Sequence, residues 1–449
     1  MPEVFPFRAI HFAAPREQSA LVAPPYDVLD GAGKQRLLAK DPRNIVGIDL
    51  PHTPAKELGP PGAYEAAGDR FRAFLADGTL VRTVRPVMFG YRQTWTQSSP
   101  GGETTISRSG MACCLETVPF GPRQGGGVLP HEETFSGPKE DRLALMRATR
   151  AQLSPIFGLH ADEWSKASTV LAGVMASRDP DRTARTDDGT LHEVWTVSDA
   201  PTIAAYREGL AGEDVFVADG HHRYNTALNY LRELEAKGRV PPEHPARRTM
   251  FVLVGMSDPG LVIWPTHRVL GGMRDYTFDR FLNESGLYLQ ALPVAGGLES
   301  LDEKLLASTD PSVLGLYDFS TGRAALASPV TADPLAGRFR DKAPAWRALS
   351  VAFIQHVIVE QICQPRLNGG QPVKWAFPHT IAEVAAIGAG EQTGASTFTT
   401  PPQLAIIVRP TPLAAVRDVS RAGQLMPQKS TFFYPKLATG LFVHGLAES

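Results

Sequence analysis

The stretch that decides the local fold of the candidate site reads Val215-Phe216-Val217-Ala218-Asp219-Gly220-His221-His222-Arg223-Tyr224. Its run of β-branched and aromatic residues ends at Asp-Gly, and apolar residues then recur at helical spacing through Leu234. The pattern predicts a strand, a tight turn and a helix, with Asp219 capping the helix and Gly220 turning the backbone. Because unpaired backbone N–H groups and the positive dipole end gather at a helix start, this turn is predicted to bind an anion, phosphate above all.

Composition describes an ordinary soluble globular chain. It has 449 residues, 43% hydrophobic and 20% charged, which is enough for two or three domains. The formal net charge of -2 provides no overall basic field, so we expect no nucleic-acid partner. Three cysteines make no disulfide framework, and neither a signal peptide nor an apolar run long enough to span a membrane is visible. We therefore expect a cytoplasmic protein without a membrane partner, and the sequence is compatible with an oligomer.

Alternating strand and helix patterns predict an α+β (mixed α/β) fold. Residues 87–95 and 107–117 are predicted to be an antiparallel strand pair, and residues 62–78 a helix. Four segments are expected: an N-terminal α/β segment at 1–118, a core at 119–270 with the Asp-Gly-His-His-Arg-Tyr turn, an inserted or separate α/β segment at 271–345, and a C-terminal α/β segment at 346–449 that packs on the core.

A second unusual stretch is the glycine-rich loop that ends in Leu129-Pro130-His131-Glu132-Glu133-Thr134. His, Glu and Thr together at the end of such a loop could supply a general base or metal ligands. A solvated loop leading into a helix with acidic residues at its start explains the same charges, so both interpretations stay open.

Other charged and polar residues could complete an anion site at the turn. The candidates for holding phosphate are Asp219, Gly220, His221, His222, Arg223, His267, Arg268, Lys429, Ser430 and Thr431. Lys-Ser-Thr at 429–431 is not a P-loop, because the glycines required before the lysine are missing. Adjacent histidines rarely share one zinc ion, so the metal is left unknown, and a buried histidine bonded to a backbone carbonyl is the alternative for His222 and His267.

Two tyrosines and an aspartate are candidates for binding substrate. Pro24 and Pro25 stiffen the backbone before Tyr26 and Asp27 and would present both side chains in a defined direction. A turn that merely enters a helix explains this stretch equally well. Tyr224 follows the turn directly. Neither a Gly-x-Ser-x-Gly elbow nor a Gly-x-Gly-x-x-Gly loop after a strand occurs, so a serine hydrolase and a dinucleotide fold are not indicated.

Taken together, the motifs resemble an uncharacterised prokaryotic family known by its HHRY signature, and the match spans nearly the whole chain. The residues that carry this resemblance are Pro24-Pro25-Tyr26-Asp27-Val28, Pro130-His131-Glu132, Asp141-Arg142-Leu143, Ser154-Pro155-Ile156-Phe157, Asp219 to Tyr224, Pro265-Thr266-His267-Arg268 and Met426 to Lys436. The family is of unknown function, so this resemblance implies no activity.

More distantly, the Asp-Gly-His-His-Arg-Tyr turn is similar to the phosphate-binding turn of the ParB and sulfiredoxin superfamily, which includes partition-protein CTPases, sulfiredoxin and free serine kinases. That resemblance implies a ParB/sulfiredoxin-like core with additional α/β segments. His221 stands where sulfiredoxin has its reactive cysteine, which argues against sulfinic-acid reduction. No helix-turn-helix or basic patch of a partition protein is visible.

The free serine kinases are the nearest functional model, and they use a glutamate as base. The resemblance then implies a kinase-like phosphotransferase that uses a nucleotide, ATP or ADP with Mg²⁺, on a small hydroxylated metabolite such as a serine-like amino acid. Glu132 or Glu133 would be the base, with His131 and His222 as further catalytic residues, and Tyr26, Asp27 and Tyr224 would contact the substrate. A non-catalytic nucleotide-binding regulator and a phosphatase or nucleotide hydrolase are the alternatives.

Overall fold

The computed structural model describes residues 1–13, 15–55, 57–99, 102–132, 136–163, 165–391, 398 and 400–447. These residues form two compact units. The first unit contains residues 1–130, 134–262 and 435–449, and the second contains residues 131–133 and 263–434.

The first unit is built on a nine-stranded mixed sheet. Its strands are β1 (Val4–Phe5), β4 (Met88–Ser99), β5 (Gly102–Glu116), β6 (Val128–Leu129), β8 (Ile156–His160), β9 (Arg182–Arg185), β10 (Leu191–Val197), β11 (Val215–Asp219) and β12 (Arg248–Gly255). They follow the order β6-β11-β8-β12-β5-β4-β10-β9, and β1 pairs with β5. The central strand β12 runs parallel to β8 and antiparallel to β5, and its residues from Thr249 to Gly255 are buried, as expected of a strand covered on both faces.

A smaller four-stranded sheet and seven α-helices complete the first unit. The strands are β2 (Ala9–Phe12), β3 (Leu80–Arg82), β7 (Ala151–Gln152) and β21 (Val443–Gly445), in the order β3-β2-β21-β7. The helices are α1 (Gly31–Lys40), α2 (Val46–Asp49), α3 (Pro61–Ala76), α4 (Ser136–Thr149), α5 (Lys166–Ser177), α6 (Ala200–Gly209) and α7 (His221–Lys237). Helix α3 begins with a proline in its first turn, where the missing N–H costs nothing, and buries Tyr64, Ala67 and Phe71 on one face.

The second unit contains a six-stranded sheet in the order β15-β17-β16-β19-β14-β18 and a two-stranded pair of β13 with β20. The strands are β13 (Val262–Trp264), β14 (Arg268–Gly271), β15 (Leu289–Val294), β16 (Leu314–Asp318), β17 (Ala324–Pro329), β18 (Lys374–Ala376), β19 (Pro402–Ile407) and β20 (Phe432–Tyr434). The helices are α8 (Phe278–Ser285), α9 (Leu298–Ala307), α10 (Pro344–Arg347), α11 (Ser350–Phe353), α12 (Gln364–Leu367), α13 (Ile381–Gly388) and α14 (Leu413–Arg421), and a π-helix spans Ile354–Cys363.

The α+β class expected from the sequence is confirmed, because helices and sheets occur in both units. The nine-stranded sheet is mixed, and the strand pairs of the six-stranded sheet are antiparallel. The predicted antiparallel pair is β4 with β5, in register from Phe89 opposite Ala112 to Ser99 opposite Gly102. The expected segment boundaries at residues 118 and 345 fall inside the two units, because β5 and β12 share one sheet while β16 and β19 share the other. Within the described part of the chain, no helix has both the length and the apolar character needed to cross a bilayer.

Candidate functional site

The turn between β11 and α7 has the predicted strand-turn-helix form. Residues 215–218 are buried, and the seventeen-residue helix α7 begins directly after Gly220. Gly220 adopts φ +96°, which is strained for any residue with a side chain, and a Cβ there would lie 3.0 Å from Arg223 Cζ. The expectation that Asp219 caps the helix is wrong, because the N-cap residue is Gly220, which has no side chain that could accept a hydrogen bond.

The Asp219 carboxylate instead pairs with two cations. Its Oδ1 accepts a hydrogen bond from Lys436 Nζ at 2.5 Å, and its Oδ2 accepts one from Arg223 Nη2. Arg223 Nη1 donates to the carbonyl of Pro155. The three charged side chains are only 12 to 17% exposed. Burial by itself would raise the pKa of Asp219, but Lys436 and Arg223 outweigh it and hold that pKa below its usual range.

A second group of buried charges lies in the same unit. The Arg142 guanidinium stacks 3.9 Å above the Tyr26 ring, and its Nη1 donates to the backbone carbonyl of Asp49 at 2.6 Å. Its Nε donates to Asp141 Oδ2 at 2.7 Å, and Ser154 Oγ donates to Asp49 Oδ2 at 3.3 Å. Burial raises the pKa of Asp49 although Arg142 opposes that change. The stretches that the family resemblance picked out at 24–28, 141–143, 154–157 and 219–224 therefore contribute to one unit.

Two buried polar atoms in this group have no hydrogen-bond partner within the described part of the chain. They are Arg142 Nη2 and Asp27 Oδ1. Leaving such a group unsatisfied costs about 1 to 3 kcal/mol each, and more for a charge, so a native protein keeps it for a reason such as a ligand or an ordered water.

A cavity of about 40 Å³ lies beside Arg142 and Arg223. Its polar lining comes from Tyr26, Asp49, Gln152, Ser154, Thr226 and Thr249. Arg223 therefore contacts the Asp219 carboxylate through one nitrogen and also faces the cavity.

The predicted site residues divide between the two units. Those in the first unit are Tyr26, Asp27, Asp219, Gly220, His221, His222, Arg223 and Tyr224, and those in the second are His131, Glu132, His267, Arg268, Lys429, Ser430 and Thr431. The alternative base Glu133 lies outside the described residues.

Tyr224 has a packing position. It is fully buried, and its hydroxyl donates to the Val118 carbonyl at 2.7 Å and accepts from the Val118 N–H at 3.1 Å. Its ring packs against Phe120 and Phe251. These contacts account for the tyrosine without any substrate, and the hydroxyl has both a donor and an acceptor inside the protein.

In the second unit, Glu132 is held by a backbone loop. Its Oε1 accepts the N–H of Ser430 at 2.7 Å and that of Thr431 at 3.3 Å, after Lys429 at φ +60°. His131 Nε2 lies 2.8 Å from Thr431 Oγ1. Successive N–H groups of such a turn bind anions, and here the anion is the Glu132 carboxylate. The loop thus uses the glutamate that the resemblance implied as base for its own structure.

His267 and Arg268 are buried in the second unit. The His267 Nδ1 accepts the Val408 N–H at 3.2 Å, and burial lowers the pKa of His267 to about 3, so its ring carries no charge at neutral pH. Arg268 Nη2 donates to the Lys429 carbonyl at 2.9 Å, and burial lowers its pKa to about 10, which leaves it charged. Contact of His267 with a phosphate stays a prediction.

Sequence reasoning missed Lys436, Asp49 and the role of Arg142. Lys436 closes the Met426 to Lys436 motif, but 217 positions separate it from Asp219, and no local pattern links the two. Asp49 ends the short helix α2 and resembles any acidic helix-end residue. The signal for Arg142 was its place in a family motif, which marks importance without naming the partner.

The fold and this site define an α+β protein in which a helix begins directly after a glycine, with buried paired charges at the strand-to-helix turn. The chain belongs to the family described as "Protein of unknown function (DUF1015)", whose sequence profile matches residues 4–351. This match confirms the resemblance to an uncharacterised family. In the described part of the chain, no cluster of three or more His, Cys, Asp or Glu side chains could hold a metal ion.

Several solved structures are distantly similar. A free serine kinase variant in complex with AMP shares 10% identity, covers 72% of this chain and 95% of its own, and gives a TM-score of 0.33. Another variant in complex with ADP gives 9% identity with the same coverage and TM-score. A conserved hypothetical protein from Pyrococcus furiosus shares 11% identity, covers 72% of this chain and 98% of its own, and gives a TM-score of 0.32. Similarities with TM-scores this low do not establish a shared function. The search of curated proteins found no match.

Proposed function

We propose that this protein binds a nucleotide, ATP or ADP, at the start of α7 and transfers its terminal phosphoryl group to a small hydroxylated metabolite, a serine-like amino acid being the first acceptor to test. One observation carries the proposal: Arg223, in the first turn of the glycine-started helix α7, and Lys436 both contact Asp219, which directly precedes that turn at the end of β11. A helix N-terminus with cations beside it favours the binding of phosphate.

The proposed metal is Mg²⁺ that arrives with the nucleotide phosphates. Mg²⁺ keeps several waters and is usually held by one or two carboxylates together with phosphate oxygens, so a prebuilt protein cage is unnecessary. Asp219 is the carboxylate beside the proposed phosphate position. Both of its oxygens pair with Lys436 and Arg223, and these two cations would neutralise the charge that develops on the transferred group.

The cavity beside Arg223 is the proposed acceptor site. The acceptor hydroxyl oxygen would attack the terminal phosphorus, the bond from that phosphorus to the leaving nucleotide oxygen would break, and the hydroxyl proton would pass to a carboxylate. We assign that carboxylate to Asp49, because it lines the cavity and burial raises its pKa. Its two side-chain contacts, 3.3 Å to Ser154 Oγ and 3.4 Å to Arg142 Nη1, are long for strong bonds.

The base assignment predicts different effects for two carboxylates. Asp49→Asn is expected to lower kcat by about 10² to 10⁴, the usual contribution of a general base, whereas Glu132→Gln should retain most of kcat, because Glu132 anchors a loop. Both variants are compared with the unaltered chain at equal nucleotide occupancy. The reverse ranking would assign the base to Glu132.

The reaction itself is tested by incubating the protein with ATP, ADP or CTP and a panel of hydroxylated amino acids and hydroxy acids. We expect a phosphorylated acceptor by mass spectrometry. Binding of nucleotide without any product would indicate a non-catalytic nucleotide-binding regulator. Release of inorganic phosphate without a phosphorylated acceptor would indicate a phosphatase or nucleotide hydrolase.

A further inference from the structure

The buried guanidinium of Arg142 makes an incomplete set of hydrogen bonds within the described residues. The Arg142 side chain is 6% exposed, its Nε contacts Asp141 at 2.7 Å, and its Nη1 contacts the Asp49 carbonyl at 2.6 Å. Within the described residues its Nη2 has no partner. An arginine fork is suited to bind a carboxylate, and here one arm of it is unused.

The cavity next to this arginine is small, and both polar and apolar residues line it. Its volume of about 40 Å³ corresponds to roughly three water positions at about 10 to 15 Å³ for each. A carboxylate group with the carbon that bears it has this size, whereas a nucleotide is far larger. Ser154, Thr226 and Thr249 add hydroxyl groups to the lining.

Three charged side chains line the cavity: Arg142 and Arg223 are cationic and Asp49 is anionic. Asp141 and Asp219 already pair with the two arginines, so the feature that favours a carboxylate is the donor on Arg142 Nη2 that has no partner within the described residues, and not a surplus of charge. Asp49 also provides an acceptor for a hydroxyl or ammonium group of the same ligand.

From this geometry we infer that the cavity binds the carboxylate of a small ligand, with Arg142 Nη2 as its principal donor. The acceptor in the proposed phosphotransfer is accordingly a hydroxylated carboxylic acid, and this assignment of the acceptor rests on the proposed function. Binding of a carboxylate to the cavity does not depend on it.

The probe is acetate, compared with acetamide, which has nearly the same shape and no charge. Saturation-transfer nuclear magnetic resonance on the full-length protein reports the methyl signal of both. We expect acetate to bind at least tenfold more tightly than acetamide, and benzoate, whose ring exceeds the cavity, not to compete with acetate. Equal affinities for acetate and acetamide, competition by benzoate, or no acetate binding would overturn the inference.

Variants locate the binding site. Arg142→Gln should lower acetate affinity at least tenfold, whereas Arg147→Gln, on the same helix and paired with Glu233 at the surface, should change it less than twofold. Equal effects of the two substitutions would contradict the role of Arg142. Circular dichroism shows whether Arg142→Gln folds. If it does not, the comparison of acetate, acetamide and benzoate on the unaltered chain still tests whether the cavity binds a carboxylate.

An ATP titration of the same samples separates the two proposals. Acetate binding without ATP binding would contradict the proposed function and leave the carboxylate site standing. ATP binding without acetate binding would contradict the carboxylate site and leave the nucleotide site standing.

Discussion

Replacing Arg223 with glutamine is expected to lower the affinity for ATP and ADP by about 10- to 100-fold. A hydrogen bond to a charged group contributes about 1.5 to 3 kcal/mol, and 1.4 kcal/mol corresponds to a factor of ten in Kd. The guanidinium also donates to Asp219 through Nη2 and to the Pro155 carbonyl through Nη1, so the variant loses these bonds together with the positive charge in the first turn of α7. Isothermal titration calorimetry with each nucleotide in the presence of Mg²⁺ measures the change.

Arg232 provides the matched control, since it lies on the same helix and is exposed. Arg232→Gln removes the same charge and should leave nucleotide affinity within twofold. Equal loss of affinity in both variants would show that the total charge of α7, and not the turn, attracts the nucleotide. Unchanged affinity in a folded Arg223→Gln variant would contradict the proposed site.

Asp219→Asn is expected to lower the free energy of unfolding by about 3 kcal/mol. Removing one partner of a buried ion pair typically costs 3 to 5 kcal/mol, and the lower end applies because the Asp219 side chain keeps 17% of its exposure. The asparagine leaves Arg223 and Lys436 without their shared counter-charge. Urea unfolding followed by circular dichroism gives the free energy of unfolding.

A surface pair serves as the reference for this substitution. Asp69 pairs with Arg72 on α3, and its side chain is 75% exposed, so Asp69→Asn should change the free energy of unfolding by less than about 1 kcal/mol. If Asp219→Asn costs no more than Asp69→Asn, then the two cations at the turn do not depend on Asp219.

The contribution of Asp219 to the free energy of unfolding is expected to depend on pH. The pKa of Asp219 is lower in the folded protein than its unfolded value of about 3.9, so its contribution is fully present above that unfolded value and is lost as the pH falls through the folded pKa. The difference in the free energy of unfolding between the unaltered chain and Asp219→Asn should be constant from pH 7 to about pH 5 and should shrink below about pH 4. A difference that grows on acidification would contradict this assignment.

Local patterns predicted the elements well. The alternation through 87–117 corresponds to the β4–β5 pair, and the apolar run at 215–218 followed by helical spacing corresponds to β11 and α7. These elements follow from short-range periodicity, which needs no knowledge of the rest of the chain. The error at Asp219 was also local: an aspartate before a helix is a common cap, but the cations that reach it come from other parts of the chain or from the next helical turn.

Local patterns did not predict contacts between side chains that are far apart in the sequence. Lys429 was a candidate for holding phosphate, yet the lysine that contacts Asp219 is Lys436. Glu132 was favoured as base by resemblance, but its carboxylate binds the backbone of residues 430 and 431. Which side chain meets which is set by sheet register and burial, and a one-residue change in register would reverse the faces.

The amino-acid sequence by itself determined the family, the α+β class and the glycine turn that starts α7, because each is recognised from short motifs or from local periodicity. The tertiary structure alone decided that Lys436, Arg223 and Asp219 form one charged group, and that Arg142, Asp49 and Ser154 surround a small cavity beside it. The reason is physical: buried charges are stable only when paired, and the pairs are formed by residues that the folding of distant strands and helices brings together.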